Sequence, residues 1–306
     1  MKINGFILKI TIILVSLFLL DRGLGSILQH YYFRIRHGEQ GRTTYAIDSC
    51  TAETIILGSS RAAHHYVTPV ISNILGRSCY NAGKDKQRLI YCLAMLKMIY
   101  SRYSPGEIIL DMNPGALETT ENGLDELSVL LPYYSTHPEI RSILYQRNRF
   151  EWIKLKSNLY CYNSLPLKII FNNLSGERDE NERNGYVPLT IQKEHIPDTA
   201  ENLNPSGPID TRALKIFKDI IRLTRVHRSK LFVTVSPLYY RLPPDLPSMQ
   251  IAKSICREEK VPFLDYSQDA RFLSHGPQMF LDKGHLNDSS AIQFSTIMAN
   301  DLKRIR

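Results

Sequence analysis

Hydrophobic residues are distributed along this chain in two ways. From Phe6 to Leu20 they form an almost unbroken block in which Lys9 is the one charge and Thr11 and Ser16 are the hydroxyl residues. Past residue 50 they come instead in short runs separated by longer stretches of helical period. The runs in "TIILG", "RSCYNAG", "EIILDMN", "KLFVTVSP" and "PFLDY" read as strands, most of them apolar enough to be buried on both faces. "TPVISNILG", Gln87 to Arg102, "DTRALKIFKDIIRLTRVH", "SMQIAKSICREEK" and a last segment from about Ser289 read as helices, the second of them amphipathic and closed by Ser104-Pro105-Gly106. Strand, helix and strand in repetition require a parallel sheet with right-handed crossovers. The pattern therefore predicts an α/β fold, a three-layer sandwich around a five-stranded, mostly parallel sheet.

Two stretches break that rhythm. From about 116 to 208 the chain carries apolar helical pieces, "ELSVLLPYY" and "RFEWIKLKSNLYCYNSLPLKIIF", and then the polar "NNLSGERDENERNGYVP", expected as a mobile surface loop. The stretch is too long for an ordinary connection and is expected to be a helical insertion that caps the active-site edge. The N-terminal residues 1–28 are expected to be an uncleaved signal anchor, because "LLDRGLGS" supplies small residues poorly at cleavage-site spacing. Residues 29–50 would then be a juxtamembrane linker and 51–306 the α/β domain. Lys2 and Lys9 before the apolar block are answered by Arg22, Arg34, Arg36 and Arg42 after it, so charge does not orient the segment. A large domain behind an N-terminal anchor is most simply exported. The expected location is the cytoplasmic membrane, crossed once, with the domain on the extracytoplasmic (periplasmic) side.

The net charge of +8 changes little, since Lys and Arg are scattered among acidic residues and form no dense run for nucleic acid. "YYFRIRHGEQGR" suits anionic lipid headgroups or an acidic glycan. Cys50, Cys79, Cys92, Cys161 and Cys256 include no C-x-x-C spacing, which indicates neither a zinc site nor a disulfide framework. Phosphate-loop and dinucleotide-binding glycine motifs are absent too, and no cofactor or metal is expected.

Candidate chemistry sits at strand ends. Gly58 permits a sharp reversal after Thr54–Leu57 and presents Ser59 and Ser60 where open α/β sheets hold ligands, so a serine here is a candidate nucleophile or else a helix N-cap. Asp282 and His285 are spaced D-x-x-H in a Gly-containing loop ahead of the last helix. That spacing lets a carboxylate face Nδ1 while Nε2 faces a serine from elsewhere, and Asn287 or Asp288 can cap the helix at the same time. His64 and His65 either assist catalysis or bind a metal, or are structural or surface residues, the reading favoured because adjacent positions on a helix start point apart. Arg61 either binds an anionic group or braces the turn. Ser236 and Tyr239 either line the cleft or merely follow a strand ended by Pro237.

Taken in order, Gly58-Ser59-Ser60, "YNAGKDKQ", "LDMNPG" and "DKGHLN" resemble the four sequence blocks of the SGNH hydrolases, the GDSL family. The likeness covers nearly all of the chain after the apolar block. It is greatest to the membrane-anchored branch found beside membrane-bound O-acyltransferases in teichoic acid D-alanylation and exopolysaccharide acetylation. The resemblance implies a flavodoxin-like sheet, Ser60 as nucleophile and Asp282 and His285 as its partners. It also implies an oxyanion site made by the backbone N–H of Ser60, that of Lys86 and the amide of Asn113, with Arg61, Gly83, Ser236 and Tyr239 as candidates for substrate contact. Three positions depart from the family. Ser59 stands for an acidic residue, Asp111-Met112-Asn113-Pro114 for Gly-x-Asn-Asp, and Lys86 for the oxyanion glycine. The implied activity is a serine-dependent esterase or O-acyltransferase for acyl esters, acetyl above all, of cell-surface or exported saccharides. The alternative is a catalytically inactive glycan-binding or assembly subunit that partners a membrane-bound O-acyltransferase.

Overall fold

The computed structural model describes residues 2–119, 124–175, 184–189, 196–204 and 207–306. They divide into two compact units, Met1–Thr44 with Gly123–Arg178, and Tyr45–Asn122 with Asp179–Arg306.

The second unit is α/β. Its five parallel strands are β1 (Thr54–Leu57), β2 (Cys79–Asn81), β3 (Glu107–Asp111), β4 (Lys230–Val235) and β5 (Phe263–Asp265), in the order β2-β1-β3-β4-β5. Ile56, Ile109 and Phe232 are neighbours in register across β1, β3 and β4, and they meet Tyr66, Ile71, Phe294 and Met298 in one core. Helices α4 (Thr68–Leu75) and α10 (Asp288–Ile305) pack together on that face, and α9 (Pro247–Glu258) packs with β5. The strand order reverses at β1, so right-handed crossovers put α5 (Leu89–Tyr100) on the opposite face, where it packs with α8 (Thr211–Val226). The sequence pattern made α5 amphipathic, but every residue of it except Lys97 is buried, because sheet and α8 cover it from two sides.

The reversal leaves a crevice at the carboxyl ends of β1 and β3, and Gly58 sits in its floor. Its φ is +151°, and a Cβ there would lie 2.8 Å from both the Asp111 carbonyl oxygen and the Ala62 Cβ. Only a residue without a side chain lets α3 (Ser60–His65) start this close to β3.

The first unit is helical. The expected linker, residues 29–50, is not an extended tether: α1 (Lys2–Arg34) runs through its start and α2 (Gly38–Asp48) fills much of the rest. Asp21 accepts hydrogen bonds from Ser157 Oγ at 2.5 Å, Asn158 N at 2.9 Å and Leu159 N at 3.1 Å, tying α1 to the segment after α6 (Glu151–Lys154). A further helix, α7 (Pro166–Ser175), packs against α1. The insertion expected at about 116–208 is thus divided, 123–178 belonging to this unit and the rest to the α/β unit. Of the expected surface loop, residues 176–183 lie outside the described residues. Positions 5–20 of α1 are exposed on all sides. Among the described residues, however, no helix is long and apolar enough to cross a membrane, so the expected signal anchor is not shown.

Gly58→Ala should lower unfolding stability by about 1–3 kcal/mol, the usual cost of overpacking. Urea denaturation checks this against Gly106→Ala, where the added Cβ would meet nothing closer than 3.6 Å.

Candidate active site

Ser59 occupies the N-cap position of α3 but makes no side-chain capping bond, so neither serine is explained as a cap. Ser60, the first residue of α3, has its Oγ 2.7 Å from His285 Nε2. His285 belongs to a short antiparallel pair, β6 (Phe280–Asp282) and β7 (His285–Leu286). Its Nδ1 lies 2.8 and 2.9 Å from the two carboxylate oxygens of Asp282, and Asp282 Oδ1 also accepts from Gly284 N at 2.8 Å. A carboxylate only accepts, so Nδ1 carries the proton and Nε2 is left to accept from the Ser60 hydroxyl. Burial alone would raise the Asp282 carboxyl. The hydrogen bond and charge of His285 and the N–H of Gly284 overcome it and hold the carboxyl below its usual range. Asn287 caps α10 through a bond from Ser290 N at 3.0 Å, so the loop serves both readings at once.

His64 and His65 are buried, not surface residues, and their rings stand edge-on to His285 at 5.8 and 6.0 Å. His65 Nε2 accepts from Leu286 N at 3.0 Å and its carbonyl accepts from Ser295 Oγ at 2.9 Å, which pins α3 to β7 and α10. Complete burial, then the nearby His285, Arg61 and His64, push the His65 pKa well below its usual value and keep the ring neutral. His64 reaches the Val187 carbonyl from Nδ1 at 2.7 Å and Asp85 Oδ1 from Nε2 at 3.1 Å. Sequence spacing gave no sign that these two rings wall the third imidazole.

Asn113 follows β3, and its Oδ1 accepts from Gly115 N at 3.4 Å, which leaves Nδ2 as a donor. With Ser59, Ser60, Arg61, Leu238, Tyr240 and His285 it lines a cleft of ≈ 220 Å³. Arg61 is chiefly a brace, since Nη2 donates to the Met112 carbonyl at 3.0 Å and lies 3.7 Å from Asp111 Oδ2.

Four expected contacts are placed elsewhere. Lys86 is exposed and absent from the cleft lining; its φ of +63° in the Lys84–Gln87 turn is a conformation that favours glycine. Gly83 is pressed onto α3, where a Cβ would come 2.5 Å from Ala63 N, and its N–H is taken by Asn81 Oδ1 at 2.9 Å. Ser236 is fully buried, its N–H donating to Asp111 at 3.1 Å. Tyr239 is buried against Phe280 and donates to the Asp198 carbonyl at 2.8 Å. Leu238 and Tyr240 line the cleft instead.

All five cysteines are free and buried. No family model matches the chain, and no curated protein matches it.

Neutral His65 links stability to pH. Its folded pKa is depressed, so its contribution is present above the unfolded value of about 6.5 and is lost as pH falls below that, by up to about 1.4 kcal/mol per unit. Denaturant midpoints should therefore drop between pH 7.5 and 5. His65→Gln, whose carbonyl oxygen can accept from Leu286 N, should flatten that slope.

Proposed function

We propose that this chain is a serine-dependent esterase or O-acyltransferase of the SGNH hydrolase type, acting on short acyl esters, acetyl among them, of cell-surface or exported saccharides. The observation that carries the reading is the line Ser60 Oγ, His285 Nε2, His285 Nδ1, Asp282, in which a 2.7 Å contact joins segments 225 residues apart and a 2.8 Å contact joins His285 to Asp282 three residues before it. The line stands at the carboxyl edge of a parallel sheet whose strand order is the flavodoxin-like one.

In this reading Ser60 Oγ attacks the ester carbonyl carbon while its proton passes to His285 Nε2. Asp282 stabilises the imidazolium through Nδ1–H. The negative charge gathered on the carbonyl oxygen is met by the Ser60 backbone N–H and Asn113 Nδ2. Collapse breaks the bond to the alcohol oxygen, which takes the proton from Nε2, and the acyl group stays on Ser60. Water or a sugar hydroxyl then gives its proton to His285 Nε2 and attacks the acyl carbon, and the bond from that carbon to Ser60 Oγ breaks as Nε2 returns the proton to Oγ.

The location belongs to the same proposal, a protein held at the cytoplasmic membrane with the α/β unit outside. Phe6 to Leu20 supports it by exposing apolar side chains all round a helix, the composition of a segment meant to be covered. Fifteen residues span about 22 Å, less than the ~30 Å hydrocarbon core, so Lys9 would snorkel and the flanks would dip. Beyond that block, Arg22 donates to Asn158 Oδ1 at 2.6 Å and the Lys156 carbonyl at 3.0 Å. The adjoining Phe150, Trp152 and Ile153 are exposed beside Lys154 and Lys156, a mixture typical of a membrane–water boundary. On α7, Leu167, Ile170, Phe171 and Leu174 form an exposed stripe at helical spacing, which favours a protein partner; a membrane-bound O-acyltransferase is the one proposed.

Ser60→Ala should abolish labelling by a fluorophosphonate probe while Ser59→Ala keeps it. Asn113→Ala should lower kcat on a short-chain aryl ester by about 10²–10³ with an unchanged circular dichroism spectrum. A folded wild-type protein that takes up no probe would favour the inactive-subunit reading. For the location, the full chain should resist extraction by alkaline carbonate, deletion of residues 2–20 should release it, and protease added outside the cytoplasmic membrane should digest the α/β unit.

A further inference from the structure

The helical unit holds a cavity of ≈ 330 Å³ of its own. Arg22 and Gln29 of α1 line it on one side, and Ser135, Arg141, Lys156 and Asn158 are in its other walls. Three of these side chains are cations, and among the described residues no carboxylate lines the space.

The charges are not cancelled from within. Arg22 donates to Asn158 Oδ1 at 2.6 Å and to the Lys156 carbonyl at 3.0 Å, both neutral acceptors. Asp21 lies 3.9 Å from Arg22 Nε, but its oxygens already accept from Ser157 Oγ, Asn158 N and Leu159 N. Arg141 gives Nε to the Tyr134 carbonyl at 3.2 Å and sets its guanidinium over the Tyr134 ring, which holds the side chain and leaves both Nη groups as donors. Among the described residues neither Arg141 nor Lys156 has a carboxylate partner. Ser135 Oγ accepts from Gln29 Nε2 at 3.2 Å, so its own proton can be given to a ligand. Cations facing one space repel one another, and an anion that enters it relieves all three. A phosphate suits them better than a carboxylate, because it offers one pair of oxygens to the planar fork of Arg141 and keeps others for Lys156 and Ser135.

The place of the cavity along α1 selects the molecule that carries the phosphate. At about 1.5 Å per residue, Arg22 stands about 3 Å past Leu20, where the exposed apolar block ends, and Gln29 about 14 Å past it. With that block in a bilayer, headgroups would occupy roughly the 5–8 Å outside the hydrocarbon core, level with Arg22. Phe150, Trp152 and Ile153, exposed just ahead of Lys156, would sit at the same boundary. The volume far exceeds the ~30 Å³ that one small molecule takes in a liquid, so a phosphate would enter with the group esterified to it. Choline would bring in a fourth positive charge, and glycerol would not. Resting on the membrane location proposed above, we propose that this cavity binds the headgroup of an anionic phospholipid, its phosphodiester paired with Arg141 and Lys156 beside the charge of Arg22.

The test places the full chain in micelles with equal amounts of phosphatidylglycerol and phosphatidylcholine and counts the retained lipid by native mass spectrometry. One phosphatidylglycerol should be kept in preference to phosphatidylcholine by about tenfold or more. Arg141→Gln combined with Lys156→Gln should bring that ratio close to one, whereas Arg149→Gln, at an exposed cation outside the cavity, should leave it unchanged. Circular dichroism checks the fold, and each single variant, expected to lower the ratio partway, serves if the double one does not fold. Equal retention of both lipids by the wild type would overturn the proposal, as would a preference that survives the double variant. Displacement of phosphatidylglycerol by equal inorganic phosphate or glycerol 3-phosphate would overturn it in favour of a free phosphate, and displacement by polyglutamate in favour of an acidic protein segment. Extraction by alkaline carbonate separates the two levels. A chain that resists extraction but shows no lipid preference sinks the headgroup site alone, one that is released yet keeps the preference sinks the spanning location alone, and one that is released without preference sinks both.

Discussion

Where β1 ends, the backbone at residue 58 is squeezed between the Asp111 carbonyl and Ala62 so tightly that no side chain fits, and the whole candidate site is built around that contact. With only a hydrogen in the gap, α3 can begin directly above the carboxyl end of β3. A helix of six residues has no stability of its own. It is held from the β2 side by Asn81, whose amide donates to the Ala62 and Tyr66 carbonyls at 2.6 and 3.1 Å. From the β3 side it is held by Arg61 reaching over to Met112. The position of Ser60 is therefore set by the sheet and not by a loop free to wander.

The other half of the site arrives on β6 and β7, and imidazoles do the joining. His65 accepts the backbone N–H of Leu286, one residue from His285, so the element that carries Ser60 also fixes the imidazole that faces it. Keeping His65 neutral matters here. In the proposed mechanism, a positive charge 6.0 Å from His285 would oppose the imidazolium formed when Ser60 gives up its proton. Burial supplies that neutrality without any further device.

Much of this was legible in the residues. β1, β3 and β4 announce themselves as β-branched runs, and Gly58-Ser59-Ser60 and Asp282-x-x-His285 mark both halves of the site because turn chemistry and hydrogen-bond reach act over a few residues. What stayed hidden depends on long-range packing. A strand's end places the following residues near the sheet edge without saying which of them face the cleft, and past Pro237, where the chain leaves the sheet, it is Leu238 and Tyr240 that line it, while Ser236 and Tyr239, the two candidates, are buried. The second block was read for an oxyanion donor, yet Asn81 and Gly83 chiefly clamp α3, a role visible only once the helix is seen against them. The burial of α5 on nearly all sides likewise follows from α8, which comes more than a hundred residues later.

The separation of 225 residues between Ser60 and His285 also has a temporal side. A ribosome releases the N-terminal segments long before β6, β7 and α10 exist, and until they do the serine has no base and the hydrophobic face around Ile56, Ile109 and Phe232 lacks Phe294 and Met298. Long-range closure of this kind is slow compared with local helix formation. On the proposed mechanism, a chain not yet extended through β7 would carry an inert hydroxyl, so ester turnover, if it occurs, would report that Asp282 and His285 had closed onto α3.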